Sequence, residues 1–336
     1  MSSTPAGVGL AIVAGLMSGN CMLPSKFLRT WRWENMWAVF SLLSLVVFPW
    51  AMALVFVRHL GTIYGSLPPA LLIAPVAFGM GWGIAQILFG ISCARLGLGL
   101  AYAIIVGMGA ALGTLVPMLA NPLSDLRANT LLLVMGGIAL MAVGIAFSTW
   151  SGRLRETQGE GDGSLPKGSY RAAILVAVLC GFLAPMLNYS FAFGQEIARR
   201  SVMHGNSQLL AGYAVWPIGL AGGFVPNAAY SLYLLKRNRS WAAFNGTFPD
   251  SLLSTLMAVL WMGAFAVYGM SAALLGDLGT SIGWGLFQIF MIMTASLSGL
   301  LTGEWRRSSG KSRGFLAAGM FFLLVATLML TAANRH

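Results

Sequence analysis

The chain has 336 residues, 57% of them of the AVILMFWYC type and only 9% charged, with a mean hydropathy of +0.78. A soluble domain carries about a quarter charged residues and needs a polar surface even at this size, so the composition excludes a water-facing globular fold and points to lipid as the solvent. The formal charge of +11 would suggest nucleic acid in a soluble chain, but these basic residues lie in short connectors between apolar runs and read as membrane-topology signals, so no nucleic-acid partner is expected.

Runs of about 18 or more apolar residues predict ten membrane helices, at 6–23, 35–57, 70–92, 97–119, 129–150, 170–193, 208–235, 252–275, 279–302 and 314–333. The opening MSSTPAG has neither a basic n-region nor a cleavage site, so the first run is expected to begin the domain rather than serve as a signal peptide. That first span ends in Gly19-Asn20-Cys21-Met22-Leu23-Pro24, and the second opens with Glu34 inside Trp31-Arg-Trp33-Glu34-Asn35-Met-Trp37 and meets Pro49. Trp82 and Gln86 lie in the third span, Gly109 and Gly113 in the fourth. After the fifth comes a Gly-rich charged stretch, 151–169, the longest polar segment inside the chain. The sixth span holds Gly181-Phe-Leu-Ala-Pro185 and Asn188, the seventh Pro217 and Asn227, the eighth Trp261 and Tyr268, and the ninth Trp284 and Gln288.

The polar stretch divides the ten spans into a first repeat at 1–150, a linker at 151–169 expected to be cytoplasmic, and a second repeat at 170–336. Five crossings are an odd number, so the second half starts from the opposite side, and the expected fold is an all-α polytopic membrane protein of two inverted five-helix repeats. Fifteen of the 20 Lys and Arg residues fall in the odd-numbered connectors, leaving Arg58, Arg127, Arg199, Arg200 and Arg335 for the other face. The positive-inside rule then makes the odd connectors cytoplasmic and places both termini outside, in a bacterial-type plasma membrane. Gly pairs four apart recur at 15/19, 79/83, 109/113, 219/223, 279/283 and 299/303, a spacing that lets helix backbones approach closely. It serves tight packing and sliding helices equally well.

Enzyme signatures such as HExxH, GxSxG and GxxxxGK[ST] are absent, and His59, His204 and His336 fall in connectors or at the end, so no catalysis, metal or cofactor is expected. Without an ATP-binding loop, any accumulation of solute must draw on an ion gradient. The three cysteines, Cys21, Cys93 and Cys180, lie far apart in apolar stretches and read as small packing residues.

Polar groups inside apolar spans are costly and mark candidate sites. Trp82 and Gln86, like Trp284 and Gln288, are four residues apart and share a helix face. An indole face suits the C–H surface of a sugar, and a neighbouring amide offers donors and acceptors to its hydroxyls, so this combination fits a neutral polyol. Interhelical bonding by the amides and gap-filling by the indoles is the alternative. Asn20, Asn188 and Asn227 have the same two readings, and Trp37, Tyr102, Trp261 and Tyr268 are candidates for an aromatic lining.

A proton-coupled carrier also needs a titrating carboxyl. Glu156, Glu160 and Asp162 fall in the linker, and Asp125, Asp250 and Asp277 at turns or helix ends. Glu34, Glu196 and Glu304 remain; Glu304 is expected to pair with Arg306 or Arg307, and Glu34 is a candidate for proton coupling or, since a helix N-terminus favours an anion, for capping. A facilitative uniporter or exporter on the same fold would need no such group.

The stretch LPSKFLRTWRWENMWAVFSLLSLVVFPW, 23–50, resembles the L-rhamnose:proton symporter family of the drug/metabolite transporter superfamily. Further matching pieces follow in order along the chain: Trp82-Gly83-Ile84, Arg95-Leu96-Gly97, Gly113-Thr114-Leu115, Cys180-Gly181, Pro217 with Gly222-Gly223 and Asn227, Trp284, and Glu304-Trp305. The resemblance implies two inverted five-helix halves around a central sugar site and symport of L-rhamnose, or also L-lyxose, with a proton; alternating access by a monomer is the expected mode of action. It adds weight to Glu34, because the WxWExMW run looks like a family hallmark. The eighth span departs from the family in carrying fewer aromatic and amide side chains, and Gln86 stands where an Asn is expected.

Overall fold

The computed structural model describes residues 4–120, 128–156, 167–245, 248–303, 305–306 and 308–334, and no strand occurs among them. Arg127, Asp125, Glu160, Asp162, Glu304, Arg307, Arg335 and His336 lie outside the described residues. In chain order the α-helices are α1 (Thr4–Asn20), α2 (Trp33–Leu42), α3 (Phe48–Phe56), α4 (Leu60–Gly65), α5 (Pro69–Leu96), α6 (Leu98–Ala120), α7 (Ala128–Glu156), α8 (Lys167–Leu183), α9 (Met186–Phe193), α10 (Gln195–Met203), α11 (Trp216–Arg237), α12 (Phe248–Leu275), α13 (Gly279–Leu301) and α14 (Gly310–Ala333).

Nine segments among the described residues are long and apolar enough to cross a membrane. The eighth, Phe248–Leu301, contains both α12 and α13 with a 3-10 turn, Gly276–Leu278, between them, and Gly276 takes the left-handed φ of 76° that turns the chain there. α7 continues through Glu156 and α8 begins at Lys167, so both ends of the segment expected as a linker are helical.

Prolines set the breaks. α2 and α3 form one membrane span joined by a π turn, Leu43–Val47, immediately before Pro49. Proline has no N–H to give the preceding turn, and a π register absorbs the mismatch without ending the helix. Pro185 separates α8 from α9, and Pro217 sits in the first turn of α11, where a missing N–H costs nothing. Pro217 therefore starts a helix, whereas Pro49 and Pro185 interrupt spans.

In lipid, helices are held by close packing and a few polar contacts rather than by hydrophobic transfer. The α5–α11 contact is backbone against backbone: a Cβ at Gly79 would strike the Gly219 carbonyl, one at Gly83 would meet the Gly223 carbonyl at 2.5 Å, and one at Gly222 would strike the Val76 carbonyl. α1 lies between α12 and α13, with Gly15 and Gly19 against Phe290 and Met291, and Ser271 Oγ donates to the Gly7 carbonyl at 2.7 Å. α7 and α14 pack along their length, and at one end Ser312 Oγ donates to the Ser151 carbonyl at 2.8 Å. Three of the six GxxxG pairs, 15/19, 79/83 and 219/223, thus lie where two helices touch most closely. Of the cysteines, Cys21 and Cys180 are buried, and Cys180 Sγ donates to the Ala85 carbonyl at 3.1 Å.

Candidate functional site

A connected set of aromatic rings runs through the interior. Trp33 stacks on Trp37 at 5.0 Å, Trp37 packs on Phe40, and Phe40 meets Trp261 edge-on. Trp261 stacks on Trp82 with centroids 5.5 Å apart and also packs on Phe265. Phe265 reaches Trp216 and Phe287, and Tyr268 and Trp284 complete the set. Five membrane helices, α2, α5, α11, α12 and α13, therefore share one aromatic core, which brings Trp37, Trp82, Trp261, Tyr268 and Trp284 together. Tyr102 instead packs edge-on against Phe89, apart from that set.

The candidate amides fall into two kinds. Asn188, fully buried on α9, donates to the Gly113 carbonyl at 2.8 Å and to the Thr280 carbonyl at 2.9 Å, and its Oδ1 accepts from the Tyr268 hydroxyl. One side chain thereby joins α6, α9, α12 and α13. Asn227 accepts from the Trp37 indole N–H at 2.9 Å and donates to the Gly223 carbonyl at 2.8 Å. Asn20 donates to the Leu16 carbonyl and accepts from Ser298, which ties α1 to α13. The Trp284 indole N–H donates to the Gly109 carbonyl at 3.2 Å, and its ring fills the space that a side chain on Gly113 would need.

Gln288 and Gln86 differ. Gln288 is 7% exposed on α13 and Gln86 half-buried on α5, yet neither amide makes a hydrogen bond within the described residues. The same is true of the Trp82 indole N–H. Unlike the Trp216 indole N–H, which is fully enclosed and unpartnered, these groups have no polar atom sealed off without a partner, so they keep bonding capacity that is open to a polar ligand.

Two buried carboxylates, Glu34 and Asp250, lie in the first turns of helices. Glu34, 4% exposed in the first turn of α2, accepts from Ser240 Oγ at 2.7 Å and from Asn238 Nδ2 at 3.0 Å through Oε1. Beside it Asn35 Nδ2 donates to the Ser240 carbonyl at 2.9 Å. Glu34 thus holds the turn that follows α11. Asp250, 1% exposed in the first turn of α12, accepts the backbone N–H groups of Arg29 (2.9 Å), Thr30 (2.8 Å) and Trp31 (2.9 Å) and the Thr30 hydroxyl (2.7 Å). Phe248-Pro249-Asp250 has the proline and first-turn acid of a helix start, so its place at a helix end was readable, but its grip on a loop 220 residues away in sequence was not. Glu196 pairs with Arg199 and Arg200 along α10.

Buried polar groups at mid-span, on helices broken by proline, define a multi-pass membrane transport protein. Residues 6–333 match the L-rhamnose-proton symport protein (RhaT) family, and the chain belongs to it. It is 26% identical over 332 residues to the L-rhamnose-proton symporter of Yersinia pestis (strain Pestoides F), covering 94% of each chain. The L-rhamnose-proton symporter of Cronobacter sakazakii (strain ATCC BAA-894) is also 26% identical, over 325 residues and 93% of each chain.

Proposed function

We propose that this protein imports a deoxy-sugar or related monosaccharide, L-rhamnose or also L-lyxose, together with a proton, by alternating access across a bacterial inner membrane. The observation that carries the sugar site is the pair of unpartnered amides, Gln86 and Gln288, each one helical turn from a tryptophan of the aromatic core. A sugar satisfies both needs at once, laying C–H surface on an indole and giving hydroxyls to the amides. In this reading Gln86, Gln288 and Trp82 contact the sugar, while Asn188, Asn20, Trp37, Tyr268 and Trp284, already engaged with protein, hold the helices around it.

Ten crossings in two inverted halves are part of the proposal, with α12 and α13 as separate crossings. The pairing of helices supports it. Exchanging each span for the one five places along turns α1 with α12 and α13 into α8/α9 with α5 and α6, and α6 with α7 into α13 with α14; all of these pairs are packed. The charge count adds the orientation, odd connectors in the cytoplasm and both termini outside.

Glu34 is the proposed proton-coupling group. Its donors, Asn238 and Ser240, are neutral, so protonation would remove the charge that strengthens both bonds and loosen the turn after α11. Proteoliposomes with an inward proton gradient should accumulate labelled L-rhamnose, and a protonophore should abolish the accumulation, with L-lyxose competing better than L-fucose or D-glucose. Uptake indifferent to the gradient would make the protein a uniporter, and no uptake of rhamnose by folded protein would remove the substrate assignment.

A further inference from the structure

Non-glycine residues with positive φ are confined to two among the described residues, His59 at 59° and Arg239 at 51°. Each such residue holds roughly 1–2 kcal/mol of backbone strain and needs its surroundings to keep it there. Both stand just past the end of a membrane helix, His59 after α3 and Arg239 after α11, and these two helices exchange under the five-span shift. Both turns are gripped by a polar side chain from the other half of the chain. Glu34 accepts from Asn238 and Ser240 on either side of Arg239, and Arg32 Nη1 reaches the Asn238 carbonyl at 3.4 Å. Asn206 takes Arg58, beside His59, by both backbone groups, accepting from its N–H at 2.7 Å and donating to its carbonyl at 3.0 Å. The Tyr64 hydroxyl reinforces the second contact with a 2.7 Å bond to the Ala214 carbonyl, and burial pushes this phenol's pKa well above its ordinary value, so it stays a donor. One contact lies where α2 begins and the other where α3 ends, at opposite ends of a single span of 24 residues, about 36 Å long.

We propose that these contacts are two latches built on one plan, one for each side of the membrane, and that releasing either opens the transporter to that side. The proposal rests on the inverted-repeat reading above. Each latch combines a strained turn, which favours release, with hydrogen bonds that hold it, so a modest change in the grip shifts the balance between closed and open. The reporters for such opening are also in the structure. Ser231, near the end of α11, and Ser201, on α10 with its carbonyl bonded to Asn206, are fully buried and have hydroxyls without partners.

The test uses the full chain in oriented vesicles with Ser231→Cys or Ser201→Cys as single reporters, the native cysteines replaced by Ala, and a membrane-impermeant thiol reagent added to either side. Glu34→Ala should label Ser231→Cys roughly tenfold faster from one side, leaving Ser201→Cys unchanged, as expected when about two hydrogen bonds holding a two-state element are lost. Asn206→Ala should do the reverse from the other side. Ser240→Ala breaks the first latch from its partner and serves if Glu34→Ala does not reach the membrane. Equal acceleration of both reporters by either variant, or no acceleration, overturns the latches. Reaction of both reporters from the same side overturns the inverted arrangement beneath them. Neither readout depends on which solute is carried, so failure of L-rhamnose uptake with opposite labelling responses would reject the substrate and keep the latches.

Discussion

Asn188 and Gln288 are both amides buried in apolar helices, yet Asn188 is satisfied by three helices and Gln288 by none. On the proposed reading, the contrast separates scaffold from site. Where the protein supplies every partner, the amide fixes how helices sit; where it supplies none, the unmet bonding capacity is available to a ligand. An apolar bilayer sharpens the distinction, because no lipid tail can stand in for the missing partner.

The largest effect should come from breaking the satisfied member. Asn188→Leu leaves the Gly113 and Thr280 carbonyls and the Tyr268 hydroxyl without their shared partner, and should cost about 2–4 kcal/mol, the lower end reflecting the modest worth of interhelical bonds in membranes. Thermal unfolding in detergent would measure it. Unchanged stability would mean that Asn188 is not the node its contacts describe.

Gln288→Ala should behave in the opposite sense. Stability should stay within about 0.5 kcal/mol, since no protein bond is lost, while the KM for sugar uptake rises roughly tenfold through loss of a hydroxyl contact. Destabilisation comparable to Asn188→Leu, with KM unchanged, would move Gln288 to the scaffold.

Much of this was legible in the residues. Apolar run length marks the membrane helices, and Gly79/Gly83 and Gly219/Gly223 each announced a close approach, because only small residues allow it. What spacing could not tell was which partner each polar group would find. Gln288 and Asn188 look alike in sequence, and only the fold brings Gly113, Thr280 and Tyr268 to one of them. Asp250 and Asn206 were illegible for the same reason, as their partners lie 220 and 148 residues away. Arg239 was hidden differently: a left-handed turn is normally written as glycine, and here tertiary contacts impose it on an arginine.

The smallest change asks whether Tyr268 belongs to the scaffold or to the sugar. Its ring is fully buried among Phe265, Trp284 and Phe287, and its hydroxyl donates to Asn188. Tyr268→Phe keeps the ring packing and removes one donor, so Asn188 Oδ1 loses its partner while both amide donors stay engaged. The expected loss is about 1 kcal/mol of stability with an unchanged KM, because the hydroxyl acts through Asn188 and not on the substrate. Combining the change with Asn188→Leu should add little further destabilisation, since both remove the same bond. A raised KM in Tyr268→Phe at unaltered stability would instead make this hydroxyl a sugar contact, and would place the boundary between scaffold and site one helix deeper into the aromatic core.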